Sequence, residues 1–168
     1  SGLAHQAEFK LVPLDCSVFS GWKTSFHFSE TNYMRLLLPD HLPEDRVIYL
    51  DCDTLIAADV SELYRIDLGS NPVAGVPDPG GSKFSRVPRH ANDVYINSGV
   101  LVMDLARLRA DRFLQKCNDI HALYKNQITL VDQCVINKYA ENRKLLLDPK
   151  WNRQTFCLLY TSDAADEG

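Results

Sequence analysis

The residues of this sequence best suited to chemistry are two aspartates one residue apart, in the segment Asp51-Cys52-Asp53. They directly follow the apolar run at residues 47–50, whose length and partly β-branched composition predict a strand buried on both faces. Two carboxylates so close together repel each other unless a positive charge lies between them. Carboxylate oxygens are the ligands that hard divalent cations prefer. The segment therefore predicts a divalent metal site at the end of a strand.

The surrounding pattern indicates how such a strand is positioned. Apolar, strand-like runs alternate with helical patterns along the sequence, which predicts one α/β domain with a mixed or parallel sheet. The carboxyl edge of such a sheet is where open α/β folds bind ligands. Strands are predicted at residues 73–76, 94–103 and 144–147, and helical segments at residues 61–64, 113–124 and 131–139.

Less regular patterns predict the remaining elements. Weak alternation at residues 8–14 predicts a strand, and capping residues before residue 33 predict a short helix that Pro39 ends. The proline- and glycine-rich segment at residues 77–81 predicts a break in regular structure. The polar segment at residues 82–93 predicts a mobile loop over the site.

Composition excludes several classes of protein. The 168 residues, 45% of them hydrophobic, suffice for one domain with its own core. A net charge of -4 without a dense run of Lys or Arg argues against a nucleic-acid partner or an anionic membrane surface. No apolar stretch approaches the roughly 20 residues of a spanning helix. Five widely spaced cysteines predict free thiols in the core and a reducing, cytoplasmic location. The full-length parent could in addition lie at the surface of the inner membrane.

Four segments, taken in order, resemble glycosyltransferase family 8, whose retaining enzymes have the GT-A fold. They span roughly residues 30–156, which is almost all of the sequence before residue 157. The resemblance implies a Rossmann-like mixed sheet flanked by helices and incomplete at both ends. The segments are Tyr33-Met34-Arg35-Leu36 with Pro39, Tyr49-Leu50-Asp51-Cys52-Asp53-Thr54-Leu55, Tyr95-Ile96-Asn97-Ser98-Gly99-Val100-Leu101 and Asp132-Gln133-Cys134-Val135-Ile136-Asn137.

The resemblance implies a metal-dependent hexosyltransferase. Asp51 and Asp53 are implied to hold Mn²⁺ or Mg²⁺ against the diphosphate of a nucleotide sugar, where the ion neutralises the charge of the leaving group. A UDP-hexose, carrying galactose or glucose, is the implied donor. The implied acceptor is a saccharide, a lipid-linked saccharide or another hydroxyl compound.

The same resemblance implies roles for further residues. Asp132 and Gln133 match catalytic positions, and Gln133 matches the residue that faces the anomeric carbon. Asp78 lies where the family places an acid on the acceptor side. The family has no well-placed carboxylate nucleophile. The resemblance therefore implies that the acceptor attacks on the face from which the leaving group departs, so that the anomeric configuration is retained. The residues implied to contact the donor are Arg35, Asp51, Cys52, Asp53, Asn97, Ser98, Asp132 and Gln133.

Each of these residue types also has an ordinary structural interpretation. Arg35 on a short helix is typical of a solvated or ion-paired surface group. Residues 97–99 are typical of a plain β-bulge. Asp132 near a helix start is favoured there by the helix dipole, whatever the function. Asp78, between prolines and glycines, is a good turn former.

Two other functions remain open at this point. Residues 48–55 also resemble the first motif of haloacid-dehalogenase-like phosphohydrolases, in which Asp51 would be the nucleophile and Asp53 the acid and base. Against this, the sequence lacks the paired-acid metal motif expected downstream. A non-catalytic domain that binds sugar or protein is the other alternative, and the retention of both acids argues against it.

The two ends of the sequence carry their own expectations. Residues 157–167 match, letter for letter, one reading frame of a transposon-derived sequencing adapter, so residues 1–156 are predicted to be a partial GT-A domain and residues 157–168 a non-native tail. The family's opening strand and its late His-x-x-Gly-x-x-Lys-Pro-Trp segment, which supplies a third metal ligand, are not found. With two carboxylate ligands, we expect weak metal affinity and an inactive isolated chain, although its full-length parent is a transferase.

Overall fold

The computed structural model describes residues 8–22, 24 and 29–153. Within them, four strands form one mixed sheet in the order β1-β3-β2-β4, which confirms the predicted α/β class. β3 runs antiparallel to β1 and β2, whereas β2 and β4 are parallel. The strands are β1 (Arg46–Leu50), β2 (Val73–Pro77), β3 (Ile96–Asp104) and β4 (Lys144–Leu146).

Helices flank this sheet, and the predictions at residues 61–64, 113–124 and 131–139 are confirmed. Short 3₁₀ helices lie at Cys16–Phe19, Glu30–Leu37 and Pro149–Trp151. The α-helices are α1 (Leu38–His41), α2 (Ser61–Arg65), α3 (Pro79–Phe84), α4 (Leu105–Ala110), α5 (Phe113–Tyr124) and α6 (Val131–Tyr139).

The central strand β3 separates two apolar clusters. Leu101 and Met103 pack into the larger cluster, with α5, α6 and the Glu30–Leu37 helix. Val100 and Val102 point to the opposite face and pack with residues that include Leu63. Because successive strand residues face opposite sides, this alternation covers the sheet on both faces and makes it a rigid support for the residues at its ends.

The strand before Asp51 contacts an apolar cluster on each face, Val47 and Tyr49 on one and Ile48 and Leu50 on the other, but its predicted full burial is not observed. All five residues of β1 are only half-buried. Within the described part of the sheet, β1 is an outer strand that pairs with β3 alone. An outer strand has one side without a strand neighbour, so its side chains keep part of their exposure.

Two further predictions at the amino-terminal side are corrected. Residues 8–14 form no regular structure, so the weak alternation there did not mark a strand. Pro39 does not end a helix but lies in the first turn of α1, which continues directly from the Glu30–Leu37 helix. Proline is tolerated there because the first backbone N–H groups of a helix have no partner within it.

Residues 77–81 were predicted to break regular structure, but α3 begins within them. The Asp78 side chain caps this helix by accepting a 2.7 Å hydrogen bond from the backbone N–H of Gly81. Pro79 occupies the first turn, where its fixed φ angle suits a helix. A good cap and a first-turn proline thus outweigh the low helix propensity of two glycines.

The predicted mobile loop at residues 82–93 begins inside α3, which extends to Phe84, and the rest of it is held in place by several contacts. Lys144 Nζ lies 2.7 and 2.8 Å from the two oxygens of Asp93, and both side chains are almost fully buried. The backbone N–H of His90 donates to Glu141 at 2.6 Å, and Val87 packs into the larger core. A buried ion pair and a buried apolar side chain fix this segment.

The four described cysteines are free, as predicted. Cys117 and Cys134 are buried, but Cys52 is exposed and Cys16 is half-buried, so the prediction of core thiols holds for two of the four. No described helix combines the length and hydropathy needed to cross a membrane. The predicted tail at residues 157–168, with Cys157, lies outside the described residues.

Candidate functional site

A cavity of about 790 Å³ opens at the carboxyl ends of β1 and β2. Because β3 is antiparallel to both strands, its first residues lie beside the last residues of each: Leu50 pairs with Val100, and Pro77 pairs with Ile96. The start of α6 and the Glu30–Leu37 helix close the cavity from the side. Of the nine predicted site residues, seven line this cavity, and Cys52 and Asp53 lie outside its lining.

Arg35 is the centre of a buried ionic cluster, which we call the ionic side of the cavity (Arg35, Asp51 and Asp132). Its Nη2 lies 2.9 Å from Asp51 Oδ1, and its Nε lies 3.1 Å from Asp132 Oδ2. Its Nη1 donates to the backbone carbonyl of Ser98, and the guanidinium lies 4.3 Å from the ring centre of Tyr49. With 5% exposure, Arg35 is not the solvated surface group of the ordinary interpretation.

The 3₁₀ geometry of the Glu30–Leu37 helix explains why Arg35 points inward. Residues three apart lie on the same face of such a helix. Asn32 and Arg35 accordingly share the face that lines the cavity. Tyr33 and Leu36 share the face that is fully buried in the core. The apolar pair anchors the helix and so directs the polar pair toward the cavity.

Asp51 has one oxygen engaged and one oxygen available. Oδ1 accepts hydrogen bonds from Tyr49 Oη at 2.8 Å and from Arg35, whereas Oδ2 makes no hydrogen bond to any described residue. The backbone N–H of Asp51 donates to the carbonyl of Gly99 at 2.8 Å. A Cβ atom on Gly99 would lie 2.9 Å from Oδ2, so any larger residue at this position would displace the carboxylate.

Asp53 has a different environment, although it belongs to the same motif. It is exposed in the turn after β1, in which the N–H of Thr54 donates to the carbonyl of Asp51 at 3.0 Å. In the part of the chain that the structure describes, no group of three or more His, Cys, Asp or Glu side chains is arranged to hold a metal. Among the described residues, Asp51 and Asp53 therefore have no third side chain of these types placed to complete a metal site.

The ionic side carries an excess of negative charge. One guanidinium lies between two carboxylates, which leaves a formal charge of -1, and the exposed Asp53 follows Asp51 by two residues in the chain. Burial raises the pKa of Asp132 to about 6, although Arg35 and the Ser98 hydroxyl act to lower it. Arg35 Nε and Asp132 Oδ2 make no hydrogen bond despite their short separation. This region therefore favours an additional cation.

Next to the ionic side, Asp78, Ser98 and Gln133 form what we call the amide side of the cavity. Gln133 Oε1 accepts from the backbone N–H of Ser98 at 3.0 Å, and Gln133 Nε2 donates to Asp78 Oδ2 at 3.0 Å. Asn97 Nδ2 lies 3.5 Å from the same Asp78 oxygen. All three residues of the amide side are buried, so these bonds are shielded from water.

Residues 97–99 are both a bulge and a part of the site. Between the pairs Gly75 with Leu101 and Pro77 with Ile96, β3 has four residues where β2 has one. The extra residues leave the ladder with β2 and turn toward the cavity. The ordinary interpretation of this segment and the functional one are therefore compatible.

The start of α6 is strained where it enters the cavity. Val131 has φ +32°, a conformation unfavourable for a β-branched residue, and it directly precedes Asp132. Further along α6, the buried amide of Asn137 accepts from the N–H of Ile96 at 2.8 Å and donates to its carbonyl at 2.7 Å. Asn137 also donates to the carbonyl of Gln133 at 2.9 Å. These bonds hold α6 against β3 and maintain the strained turn.

Asn137 belongs to the fourth sequence motif, but it was not predicted as a site residue. Its signal was its position four residues after Gln133, which places both on one helix face. Asn32, Asn152 and Arg153 also line the cavity without having been predicted. Asn152 Nδ2 donates to Asn97 Oδ1 at 2.8 Å, and Arg153 adds an exposed positive charge at the mouth. No local pattern marks these three, because only the fold brings them to the cavity.

Comparison with known proteins defines the class to which this arrangement belongs. The family model described as glycosyl transferase family 8 matches residues 7–166. The chain therefore belongs to glycosyl transferase family 8. This membership confirms the resemblance seen in the four sequence motifs and decides against the phosphohydrolase alternative.

Similar proteins from other organisms support the assignment to this family. General stress protein A of Bacillus subtilis is 27% identical over 89% of this chain and 54% of its own length. Glycosyltransferase GlyF of Streptococcus pneumoniae is 28% identical over 84% of this chain and 34% of its own length. Lipopolysaccharide 1,3-galactosyltransferase of Salmonella typhimurium is 24% identical over 88% and 46%, respectively. The chain spans about half, or less, of the length of these relatives.

Solved structures confirm the GT-A fold. Galactosyltransferase LgtC, in complex with donor and acceptor sugar analogs, matches with a TM-score of 0.76 at 24% identity, over 82% of this chain and 51% of that one. The apo form of glycosyltransferase GlyE from Streptococcus pneumoniae matches with a TM-score of 0.64 at 25% identity, over 84% and 32%. These neighbours are GT-A glycosyltransferases.

Proposed function

We propose that this chain forms the donor-binding part of a retaining hexosyltransferase that uses a UDP-hexose, with galactose or glucose as the sugar. The observation that carries the proposal is the convergence, in a family 8 chain, of the ionic side and the amide side on one cavity. The first offers negative charge to a divalent ion, which in turn binds the diphosphate. The second offers fixed polar groups to a sugar. The proposed acceptor is a saccharide, a lipid-linked saccharide or another hydroxyl compound.

The donor set at the cavity rim fits a hard divalent cation. Asp51 keeps Oδ2 available, Asp53 is exposed, and the adjacent cluster has excess negative charge. We propose that these two aspartates hold Mn²⁺ or Mg²⁺, with the remaining ligands supplied by water and the diphosphate. When bound, such an ion supplies Lewis acidity that offsets negative charge on the leaving diphosphate.

The protein's own residues prepare the site for this chemistry. Arg35 fixes Asp51 and Asp132 in place through its two ion pairs, and it orients the Ser98 carbonyl. We assign the donor-sugar contacts to Asn97, Ser98, Asp132 and Gln133, as the resemblance implies. Gln133 Oε1 carries partial negative charge, which suits a position near an anomeric carbon that becomes positive during transfer.

A cytoplasmic location is proposed for this part of the chain. The support is that all four described cysteines are free, including the exposed Cys52. An exposed thiol persists more readily in a reducing compartment.

Calorimetry tests the proposal on the full chain. We expect UDP-galactose or UDP-glucose to bind in the presence of Mn²⁺ and to lose at least about tenfold in affinity when EDTA is added, or when either Asp51 or Asp53 is replaced by Asn. Glu62→Gln is the matched control, because Glu62 is an exposed carboxylate outside the cavity lining. Nucleotide binding that ignores both the metal and the two substitutions would contradict the proposal.

The same experiment addresses the non-catalytic alternative. A domain that binds only protein or free sugar has no reason to bind UDP in a metal-dependent manner, so such binding would exclude it. Sugar transfer by the isolated chain is not expected, since only two protein ligands are available to the ion among the described residues. Detectable transfer would overturn that expectation.

A further inference from the structure

We propose that Asp78 is a positioning residue, whose function is to fix the orientation of the Gln133 side-chain amide. The inference rests on the proposed function, because it assigns a role within the same donor site. It differs from the acceptor-side role that the family resemblance implies for Asp78. Its starting point is that both oxygens of this carboxylate are engaged by donors of the chain itself.

The contacts of Asp78 define what it can do. Oδ1 accepts from the N–H of Gly81 at 2.7 Å, and Oδ2 accepts from Gln133 Nε2 at 3.0 Å, with Asn97 Nδ2 at 3.5 Å. The residue is only 6% exposed. A carboxylate so buried and so occupied presents little to an incoming acceptor, whereas it offers Gln133 a strong hydrogen-bond acceptor.

The other end of the Gln133 amide is fixed as well. Its Oε1 accepts from the backbone N–H of Ser98 at 3.0 Å, and the hydroxyl of Ser98 lies 3.4 Å away. Turning the amide over would place its NH₂ group against the Ser98 N–H and its oxygen against the Asp78 carboxylate. Both new pairs are repulsive, so the two neighbours together allow one orientation. The Gln133 oxygen is thereby held on the Ser98 side of the cavity.

Gly81 shows how closely the pair is packed. A Cβ atom at this position would lie 2.4 Å from Asp78 Oδ2 and 2.7 Å from Gln133 Nε2. A Cβ atom at the neighbouring Gly80 would lie 3.4 Å from Asp78 Oδ1, which is ordinary contact. Neither glycine has a positive φ, so alanine suits both backbones. Gly81→Ala therefore displaces the pair while leaving both functional groups in the chain, and Gly80→Ala is its matched control.

Asp78→Asn tests the carboxylate itself. Asparagine keeps the shape but offers one oxygen where two were used, so it cannot accept from both Gly81 and Gln133 in the same way. Asp104→Asn is the control, because Asp104 caps α4 with a similar 2.8 Å bond to the N–H of Arg107 but lies outside the cavity lining. Circular dichroism and thermal unfolding establish that each variant folds.

The primary readout is ¹⁵N relaxation of the Gln133 side-chain NH₂ group in the ligand-free chain. We expect an order parameter of about 0.8 in the wild type and in the two controls, and below about 0.6 in Asp78→Asn and Gly81→Ala. An amide equally ordered in all five proteins would overturn the proposal. This measurement requires no ligand, so it decides the role of Asp78 even if the proposed function fails.

The secondary readout connects the amide to the sugar. We expect Asp78→Asn and Gly81→Ala to reduce the affinity for Mn²⁺ and UDP-hexose by roughly tenfold while changing the affinity for Mn²⁺ and UDP by less than about threefold. A freed amide with an unchanged preference for UDP-hexose over UDP would overturn the positioning role. Failure of the wild type to bind either nucleotide would contradict the proposed function instead.

A double variant that combines Asp78→Asn with Gln133→Glu exchanges the polarity of the pair. The new amide at position 78 can then donate to the new carboxylate at position 133, so the contact between the two side chains is kept with donor and acceptor reversed. We expect this variant to recover part of the affinity for UDP-hexose that Asp78→Asn loses. A double variant that binds UDP-hexose no better than Asp78→Asn alone would argue against a contact that positions the side chain at 133.

Discussion

The polar groups on the ionic side and on the amide side of the cavity differ in how completely they are hydrogen-bonded. On the amide side, Ser98, Gln133 and Asp78 form a chain in which donors face acceptors. On the ionic side, Arg35 lies between two carboxylates, and two of the contacting atoms form no hydrogen bond. Both oxygens of Asp78 are hydrogen-bonded on the amide side, whereas the ionic side keeps two contacting atoms without a hydrogen bond and an available oxygen on Asp51.

This difference indicates that the two sides respond differently to a ligand. A network in which every donor faces an acceptor is preorganised and changes little when a ligand arrives. A cluster with excess negative charge is stabilised by an added cation. We therefore expect stability to depend on pH at Asp132, on the presence of the charge at Arg35, and on side-chain geometry at Asp78 and Gln133.

Removing the central cation should have the largest effect. Arg35→Met leaves Asp51 and the buried Asp132 without their guanidinium, which should lower the free energy of unfolding by about 3 to 5 kcal/mol at pH 7. Urea denaturation measures this change. Lys150→Met is the control, because Lys150 and its partner Glu62 are exposed, and a loss below about 1 kcal/mol is expected there. Equal losses in the two variants would show that the ionic side is not a buried cluster.

The pH dependence of stability should single out Asp132. Its pKa rises from 3.8 in the unfolded chain to about 6 in the fold, so its stabilising contribution is complete below pH 3.8 and is lost as pH rises through 6. The total is about 3 kcal/mol at most. Other carboxylates such as Glu141 have lowered pKa values and act in the opposite direction. The useful quantity is therefore the difference between wild type and Asp132→Asn, measured by denaturation from pH 4 to 7. A difference that stays flat would contradict the raised pKa.

Behind the amide side, at the contact of α6 with β3, Asn137→Ala should cost about 2 kcal/mol, because it leaves the buried N–H and carbonyl of Ile96 without partners. Thermal and urea unfolding measure the loss. Asn118→Ala, at an exposed position on α5, should be near neutral. Unlike Arg35→Met, the Asn137→Ala loss should not change between pH 5 and 7, since no charge is exposed. A pH-dependent loss would remove the distinction between the two sides.

The smallest expected effect is that of Tyr49→Phe. It removes one of the two hydrogen bonds to Asp51 Oδ1 but keeps the ring beneath Arg35. We expect a loss of about 1 kcal/mol in stability. Tyr64→Phe is the control on an exposed ring. A loss as large as that of Arg35→Met would mean that the hydroxyl, rather than the guanidinium, holds Asp51.

The sequence predicted the elements whose local patterns agree with the fold. β2, α5 and α6 appear where periodicity placed them, because their apolar residues face the two cores. It failed where a cap or a neighbour outweighed propensity. The Gly80-Gly81 pair lies in a helix because Asp78 and Pro79 start one, and β1 is half-buried because it has one strand neighbour in the described sheet.

The candidate site, like the fold, could be predicted from the sequence only in part. The family resemblance identified seven of the residues that line the cavity, but no pattern could say that Arg35 is shared by two carboxylates or that Asp78 faces Gln133. Those pairings join residues 16 to 97 positions apart in the chain. They are set by strand order and by the packing of α6 on β3, which a local pattern does not contain.

Electron paramagnetic resonance of Mn²⁺ added to the full chain with UDP tests most directly whether the acidic pair binds the ion. We expect a bound Mn²⁺ signal in the wild type and in Glu62→Gln, and at least about a tenfold weaker affinity in Asp51→Asn and in Asp53→Asn. Bound Mn²⁺ of equal affinity in all four proteins would show that the ion, if it acts here, is held elsewhere.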